Sequence, residues 1–352
     1  MKVTIADVAR LAGVGTTTVS RVINNARNIR EETREKVLRA MRELDYYPNL
    51  AARSLSRGDT LDASRSRCIG VVLGEDVTQT HTYYSDILET IERELADRQY
   101  HVIFSTLSSG PLGNGGKTLQ MVHDRIIQAA VIVGQAPRVT LDMFVKEEVP
   151  VVLVDAPANV DGIDSIICDN VRGARMMVSH LVGLGHKRIA LIRGPREHFF
   201  SLDISKGYRE GLAEYGLEID ESLIKEGDYH PESGYVAMSS LLQLPKSDWP
   251  TAVFANDEMA IGAIRAINER GLKVPGDISV AGFDGIELLM HTQPSLTTIQ
   301  VPRKSMGRLA VKKLMELFEE GRDGHCFSTS ILPVKLIVRE STAVCSQRWE
   351  ST

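Results

Sequence analysis

The sequence lacks paired cysteines, long apolar runs and a strong net charge, and the first two shortages exclude whole classes of protein. The four cysteines are far apart with no C-x-x-C pair, which excludes a disulfide framework and a zinc site: Cys68, Cys168, Cys326 and Cys345. No apolar stretch approaches the ~18–20 residues that cross a bilayer, and the N-terminus, MKVTIADVARLAG, has no signal-peptide core. We therefore expect a soluble, reduced, cytoplasmic protein that does not contact a membrane.

The net charge of -5 is the sum over two segments whose net charges have opposite signs. Residues 1–67 contain 13 Lys and Arg against 8 Asp and Glu, a balance of +5, and the rest of the chain has a balance of -10. Such asymmetry is typical of a basic polyanion-binding unit fused to an acidic domain, although a chance excess of solvated basic side chains has the same signature. A length of 352 residues suggests two or three domains.

Residues 4–47 have the pattern of three short helices, predicted at 5–12, 16–23 and 31–44. Apolar residues recur there at helical spacing, and we expect them to be buried: Ile5, Val8, Ala9, Leu11, Val19, Val22, Ile23, Val37, Leu38, Met41 and Leu44. Gly13 stands where a left-handed C-terminal residue is favoured. The first two helices have helix-turn-helix proportions, in which the second helix lies in the major groove of DNA. An ordinary helical hairpin with solvated polar residues is the alternative.

From residue 68 onward, apolar strands alternate with amphipathic helices. Strands are predicted at 68–73, 101–104, 130–133, 151–154, 165–168, 188–192, 252–255 and 278–282, with helices between most of them, as at 84–98, 172–184 and 257–270. Strands this apolar form parallel sheets that are covered on both faces. The segment is too long for one such sheet, so we predict two α/β lobes, with a ligand at the carboxyl ends of the strands.

Long stretches of the chain resemble the lactose/galactose/purine repressor family. They are VTIADVARLAGVGTTTVSRVINN, EETREKVLRAMRELDYYPNLAARSL, LGHKRIALIRGP, HPESGY, TAVFANDEMAIGAI, VPGDISVAGFD, PSLTTI and LIVREST, and together they span nearly the whole chain. The resemblance implies a small all-α helix-turn-helix headpiece and an α/β, two-lobed, periplasmic-binding-protein-like sensor domain. It implies a sequence-specific transcriptional regulator whose operator affinity changes when a small-molecule effector binds between the lobes. We expect a repressor, with an activator as the alternative.

The resemblance also implies which residues contact DNA, on the second helix and on a hinge helix at 49–55. They are Thr16, Thr17, Thr18, Arg21, Asn49, Ala52 and Leu55. Thr18 matches a phosphate contact and Leu55 a wedge in the minor groove, whereas Arg21 matches a base-reading position. A hinge helix this short is unstable alone and would order only on DNA, where an apolar wedge kinks the duplex.

In the sensor domain the resemblance implies eight effector-binding residues. They are Tyr83, Tyr84, Asp155, Asp169, His198, Tyr229, Asp257 and Asp284. For each carboxylate, a role as a loop or helix-cap acid is the alternative.

One position departs from the family in an informative way. Where relatives commonly place an effector-binding arginine, three residues before Gly207, this chain has Ile204, and it has His198 and Phe200 where a purine-binding relative has Arg and Thr. Losing a guanidinium removes a fork of donors for carboxylate or hydroxyl groups. Our hypothesis is that the effector is not a simple sugar or purine: it is more apolar, or is held by Arg196, His198 or Lys206.

The resemblance further implies the domain boundaries and the partners. We expect a headpiece at 1–48, a hinge and linker at 49–67, an effector-binding and dimerisation domain at 68–346 and a tail at 347–352. One lobe is expected at about 68–169 with 298–331, and the other at about 170–297 with 332–346. The implied partners are a pseudo-palindromic double-stranded DNA operator, on the cytoplasmic nucleoid, and a second copy of the chain in a homodimer. No leucine heptads follow LIVREST, which disfavours a tetramerisation tail.

Three other functions are alternatives to an effector-modulated regulator. A constitutive DNA-binding regulator with a vestigial pocket agrees with the Ile204 departure. A P-loop nucleotide-binding enzyme is suggested by Gly115-Gly116-Lys117-Thr118, but the first glycine of the motif would fall on Pro111. A secreted solute-binding protein would share the lobes but not the basic headpiece. We predict no catalytic residue, metal or cofactor, and therefore no enzyme.

Overall fold

The computed structural model of the chain describes residues 5–23, 29–44, 67–75, 77, 82–107, 109–110, 113–114, 118, 121–122, 126–286 and 292–346. The predicted hinge residues Asn49, Ala52 and Leu55 and the tail at 347–352 lie outside these residues, so those predictions stand as made.

The N-terminal unit consists of three helices, α1 (Ile5–Ala12), α2 (Thr16–Ile23) and α3 (Glu31–Glu43). Gly13 has a φ of 65° and ends α1 in the left-handed conformation, as predicted. The carbonyl of Gly15 accepts the backbone N–H groups of residues 18 and 19 and so begins α2. The three helices enclose one small core: Val8, Ala9, Val19, Val22, Val37 and Ala40.

Two leucines of this unit are more exposed than predicted. Leu11 is 46% exposed and Leu38 is 41% exposed, so the prediction that both are buried is wrong. Helices this short bury one narrow stripe each, and Val37 and Ala40 occupy the buried stripe of α3. Leu38 follows Val37 by one residue, about 100° around the helix, and therefore lies at the edge of that stripe.

The first lobe contains a six-stranded parallel sheet. Its strands are β1 (Cys68–Leu73), β2 (His101–Thr106), β5 (Ala129–Val133), β6 (Val151–Val154), β7 (Asp164–Cys168) and β13 (Thr329–Leu332), in the order β13-β7-β6-β5-β1-β2. A two-stranded ribbon, β3 (Ser109–Gly110) and β4 (Gly113–Asn114), follows β2. Within the residues that the structure describes, three helices with defined bounds accompany the sheet: α4 (Thr82–Asp97), α5 (Arg138–Lys146) and α10 (Arg303–Gly324). Successive residues of β5, such as Val131 and Ile132, enter separate cores on the two faces, so the sheet is buried on both sides.

The second lobe repeats this plan. Its strands are β8 (Ile189–Arg193), β9 (Ile224–Glu226), β10 (Ala252–Ala255), β11 (Ser279–Asp284), β12 (Thr297–Gln300) and β14 (Lys335–Ile337), in the order β14-β12-β11-β10-β8-β9. All pairs are parallel except β12 with β14. Four helices belong to it: α6 (Asn170–Gly183), α7 (Phe199–Glu214), α8 (Pro231–Leu241) and α9 (Asp257–Glu269). The predicted pair of α/β lobes is therefore present.

The chain crosses between the two sheets three times, after β7, after β12 and after β13. The first-lobe boundary predicted at 298 falls inside β12, which pairs with β11 in the second sheet. The crossing therefore comes after Gln300, immediately before α10 begins at Arg303. Within the ranges that the structure describes, no helix combines the length and the apolar character needed to cross a membrane.

Candidate functional site

The first candidate site is the exposed face of α2. Thr16, Thr17 and Arg21 are exposed and Thr18 is half-buried, whereas Val19 points into the core of the three-helix unit. Thr17 and Arg21 are four residues apart and therefore share one face of the helix. The structure thus places the predicted base-reading residues together on solvent-facing surface, where a hydroxyl and a guanidinium can reach base edges.

The second candidate site lies where the strands of the two sheets end. Asp155 follows β6 directly, and Asp284 is the last residue of β11. Both have left-handed backbones, with φ of 60° and 119°, and both are less than a tenth exposed. The hydroxyl of Tyr83, in the first turn of α4, donates to Asp155 Oδ1 at 3.2 Å. Burial, together with the charges of Asp155 and Asp284, raises the pKa of Tyr83 well above its usual value. Tyr83 also packs against the apolar core of the second lobe.

Aromatic rings of the second lobe contact one another in a series that ends at Phe283, the residue before Asp284. The ring of Tyr229 lies 5.3 Å from that of His198 and 5.9 Å from that of Phe200, measured between centroids. Phe200 in turn lies 5.3 Å from Phe283, the neighbour of Asp284. Gly194 permits this arrangement, because a Cβ there would overlap the Tyr229 ring. We call His198, Phe200, Tyr229 and Phe283 the aromatic wall.

Sequence reasoning did not identify Phe283 as part of the site. It stands next to last in an apolar strand, where an ordinary core phenylalanine would also stand. The ring is in fact 1% exposed and forms the base of the aromatic wall. Only the fold, which brings α7 next to the end of β11, distinguishes it from other buried phenylalanines.

Ile204 stands where relatives commonly have an effector-binding arginine, and it is buried on α7. It is 5% exposed and belongs to the same apolar core as Phe283. Ser205 and Lys206 follow it on the helix, and Lys206 lies close enough to Asp203 for its charge to act on that carboxyl. Burial raises the pKa of Asp203, although a hydrogen bond from Asn170 opposes the shift. An apolar side chain thus stands where the resemblance would place a guanidinium.

Asp257 is a structural acid of the second lobe. It is fully buried, Oδ2 accepts the backbone N–H of Ile286 at 2.9 Å, and Oδ1 accepts the Thr298 hydroxyl at 2.6 Å. Burial raises its pKa to about 7 despite these hydrogen bonds. Each of its oxygens accepts a hydrogen bond from a donor of its own lobe, which is a structural role, and its predicted contact with an effector stays a prediction. Burial and the neighbouring charge of Asp257 in turn raise the pKa of Asp284.

Three of the predicted residues make local structural contacts. Asp169 caps α6, because its Oδ1 accepts the backbone N–H of Arg172 at 3.1 Å. Tyr84 is 8% exposed and packs in the first-lobe core, edge-on to Tyr83 with the centroids 4.9 Å apart. His198 also caps a helix, since its Nδ1 accepts the N–H of Phe200 at the start of α7.

Sequence reasoning also missed the basic residue behind the site. Arg303 is 6% exposed and donates to Asp86 Oδ2 and to the carbonyls of Asp284 and Gly285. Its guanidinium lies 5.7 Å from the ring of Tyr83. Nowhere in the described ranges do three or more His, Cys, Asp or Glu side chains converge so as to hold a metal ion.

Comparison with known proteins identifies the family of the chain. The model of the bacterial regulatory proteins, lacI family, matches residues 4–49, and that of the periplasmic binding protein-like domain matches residues 178–342. The HTH-type transcriptional repressor PurR of Klebsiella pneumoniae (strain 342) is 33% identical over 343 residues, which cover 97% of each protein. PurR of Escherichia coli O139:H28 (strain E24377A / ETEC) is 34% identical over 351 residues, again covering 97% of each.

Solved structures agree with these relatives. The lac repressor dimer bound to operator and the anti-inducer ONPF is 31% identical, with a TM-score of 0.75 over 97% of this chain and 100% of that one. The complex of the transcriptional regulator CelR with cellobiose is 29% identical, with a TM-score of 0.71 over 97% of this chain and 100% of that one. This chain therefore belongs to the LacI family of bacterial regulatory proteins and is a DNA-binding transcriptional regulator.

Proposed function

We propose that the protein is a sequence-specific repressor whose affinity for a DNA operator is set by a small molecule bound between its two lobes. The observation that carries this proposal is the exposed face of α2, which presents Thr16, Thr17 and Arg21 from a folded three-helix unit. Arginine bonds guanine O6 and N7 bidentately, and threonine offers a hydroxyl and a methyl group to base edges. Repression follows when a protein so bound blocks access to a promoter.

We further propose that the hinge at 49–55 completes the DNA contact, with Asn49, Ala52 and Leu55 as in the sequence-based prediction. Leu55 would insert between base steps of the minor groove, and the bend this causes is offset by the larger contact surface. The acidic sensor domain discourages indiscriminate DNA binding, so attraction is confined to the headpiece and the hinge.

A homodimer is the assembly that we infer for the operator complex. Two headpieces related by a two-fold axis read two half-sites, which makes the operator pseudo-palindromic. Exposed apolar side chains are available for the contact between copies: Phe104 on the edge strand β2 is 54% exposed, and Val236 on α8 is 60% exposed. The complex would form in the cytoplasm, on the nucleoid.

The cleft between the lobes is the site that we assign to the effector. We expect Tyr83, Asp155, His198, Tyr229 and Asp284 to contact the effector. Tyr83 donates to Asp155 and the Tyr229 ring adjoins that of His198, and Asp155 and Asp284 stand at the ends of strands of two largely parallel sheets, where ligands of such folds bind. The lac repressor and CelR structures hold small molecules, ONPF and cellobiose, in proteins of this fold. Closure of the lobes around a ligand would change the spacing of the two headpieces and hence their operator affinity.

Selection of bound DNA from a random double-stranded pool tests this function directly. The full chain should enrich a pseudo-palindrome, and the double variant Thr17→Ala/Arg21→Ala should not enrich it. If the chain enriches no sequence, the proposed function is wrong. Repeating the selection with extracts of small metabolites tests modulation, because a regulator with a vestigial pocket would bind its operator equally in every extract.

A further inference from the structure

We propose that a hydrogen bond between Thr82 and Glu258 holds the two lobes together, that its loss lets them separate, and that this separation changes operator affinity. Thr82 begins α4 in the first lobe, and Glu258 lies in the first turn of α9 in the second lobe. We call this pair the interlobe contact. Only the last step, the effect on operator affinity, rests on the proposed function.

The interlobe contact is one of two points at which a single face of α4 meets the second lobe. The Thr82 hydroxyl donates to Glu258 Oε1 at 3.2 Å. One turn along α4, Asp86 accepts from Arg303, which also donates to two backbone carbonyls at the end of β11. Thr82 and Asp86 are four residues apart, so both points lie on the same side of the helix. Movement of the second lobe relative to α4 must therefore act on both.

The interlobe contact is the weaker of the two points. The side chain of Arg303 is 6% exposed and that of Asp86 is 18% exposed. Thr82, in contrast, is exposed and Glu258 is half-buried. A largely buried ion pair with several hydrogen bonds is costly to break, whereas a single hydrogen bond in contact with water adds little net stability. Arg303 also stands three residues beyond Gln300, where the chain crosses between the sheets. The lobes are therefore fixed at this crossing and can part at the interlobe contact.

Glu258 places a carboxylate where the N-terminal ends of two helices meet. α4 follows β1 and α9 follows β10, so both helices begin near the carboxyl end of a strand. The N-terminal end of a helix carries a positive partial charge, and two such ends repel each other. A carboxylate between them attracts both, and Glu258 Oε1 lies beside the first residue of α4. The charge of this side chain therefore favours the joined lobes.

The interlobe contact is connected to the start of the sensor domain. β1 begins at Cys68, directly after the predicted linker, and α4 follows β1. α4 also packs closely on α10, because a Cβ on Gly307 would lie 2.9 Å from the carbonyl oxygen of Ile87 and 3.0 Å from Thr90 Cβ. Ile69 of β1 and Ile87 of α4 belong to one apolar core. Separation of α4 from the second lobe would therefore move the element from which the linker and the headpiece extend.

Pulsed electron paramagnetic resonance between two nitroxide labels measures the distance between the lobes. The labels are attached to Lys146→Cys at the end of α5 and to Gln243→Cys after α8, both exposed positions and one in each lobe. Cys326 and Cys345 are replaced by serine so that they take no label. The labelled full chain is diluted with an excess of unlabelled chain, so that only distances within one copy are recorded.

Charge substitutions at the interlobe contact test the proposal. Thr82→Glu opposes two carboxylates and should add a second distance to the distribution. Glu258→Lys alone places a cation between two helix N-termini and should do the same, which keeps the test decisive if Thr82→Glu does not fold. The double variant Thr82→Glu/Glu258→Lys restores an attractive pair and should return the distribution to that of the native chain.

Two controls distinguish the interlobe contact from charge in general. Thr82→Lys places a cation beside Glu258 and should keep the native distance. Ala96→Glu adds a negative charge at an exposed position 14 residues further along α4 and should also keep it. The proposal is wrong if Thr82→Glu and Glu258→Lys both leave the distribution unchanged, if the double variant stays altered, or if Ala96→Glu acts as Thr82→Glu does.

Operator affinity shows whether the interlobe contact regulates DNA binding. Thr82→Glu should change the affinity for the selected operator by roughly 2–5-fold, the effect of one exposed charge pair, and the double variant should restore it. If the distances respond but the affinity does not, the regulatory step of the proposal is wrong. If the distances respond and no operator can be selected, the proposed function is wrong and the interlobe contact stands. If an operator is selected but the distances do not respond, the interlobe contact is wrong and the function stands.

Discussion

Arg303 donates two hydrogen bonds to one carboxylate oxygen of Asp86: its Nε lies 3.0 Å and its Nη2 lies 2.9 Å from Asp86 Oδ2. Arg303 begins α10, just after the chain has crossed back from the second sheet, and Asp86 lies on α4 of the first lobe. The same guanidinium donates to the carbonyls of Asp284 and Gly285 at the end of β11. One side chain thus fixes the second-lobe strand that ends in Asp284 against a first-lobe helix that begins beside Tyr83.

Replacing this arginine should destabilise the protein strongly. We expect Arg303→Met to lower the free energy of unfolding by roughly 3 kcal/mol, since a largely buried carboxylate loses its two closest donors. This is the lower end of the range for a broken buried ion pair, because Lys304 Nζ remains 3.7 Å from Asp86 Oδ1. Urea denaturation measures the change. Lys304→Ala, in which an exposed lysine is lost, should cost less than ~1 kcal/mol, and equal losses for the two variants would contradict this account.

The C-terminal end of α10 makes stability depend on pH through His325. Asp164 is fully buried and accepts from His325 Nε2 at 2.6 Å and from Lys313 Nζ at 2.8 Å, while His325 Nδ1 lies 3.0 Å from Glu320. Burial disfavours the charged imidazole, but the hydrogen bonds to Asp164 and Glu320 outweigh it and raise the pKa of His325 above its usual 6.5. The charged form is therefore stabilised by folding.

The sign of the pH effect follows from that raised pKa. The stabilisation is fully present below pH 6.5 and is lost as the pH rises through the higher pKa of the folded state. We expect the free energy of unfolding of the native chain, relative to His325→Gln, to fall between pH 6 and pH 9 in urea titrations. An offset between the two proteins that stays constant over this range would show that His325 does not titrate in this way.

Close packing of α8 on α9 depends on a glycine at the contact. A Cβ on Gly262 would overlap the carbonyl oxygen of Pro231 and lie 2.8 Å from the backbone nitrogen of Tyr235. Gly262→Ala should therefore destabilise the second lobe by about 3 kcal/mol, at the upper end for overpacking. Gly183, at the end of α6, has no neighbour within 4 Å of such a Cβ, so Gly183→Ala should stabilise the chain by about 0.5–1 kcal/mol. Thermal unfolding monitored by circular dichroism compares the two, and a stable Gly262→Ala protein would refute the packing argument.

Central strands and capped helices were predictable from sequence, because their signals are local. The eight predicted strands are all present, and α1 and α2 have the predicted bounds. Six strands were missed: the two-residue strands β3 and β4, and also β9, β12, β13 and β14. β9, β13 and β14 lie at the edges of the two large sheets and are partly exposed, so they have no continuous apolar run, and β12 begins with two buried threonines.

The site was only partly predictable, because its contacts join residues far apart in the chain. The resemblance named Tyr83, Asp155 and Asp284, which the fold does bring close together. It could not identify Arg303, whose partner Asp86 is 217 residues away. Nor could a local pattern show that Asp257 turns inward, since its hydrogen-bond donors come from β12 and from the segment after β11.

Arg21 is the residue through which operator recognition can be tested most sharply. It is exposed on α2, on the same face as Thr17, where a guanidinium can form a bidentate contact to guanine. We expect Arg21→Ala to cost about 1–3 kcal/mol on the selected operator and to relax the preference at one base pair of each half-site. Affinities for the operator and for single-base variants, measured by fluorescence anisotropy at fixed salt, test this. Arg10→Ala is the control, because Arg10 is equally exposed on α1 but pairs with Asp7 at 3.3 Å. An equal loss on every DNA sequence would instead make Arg21 a phosphate contact, because phosphate contacts carry no sequence information.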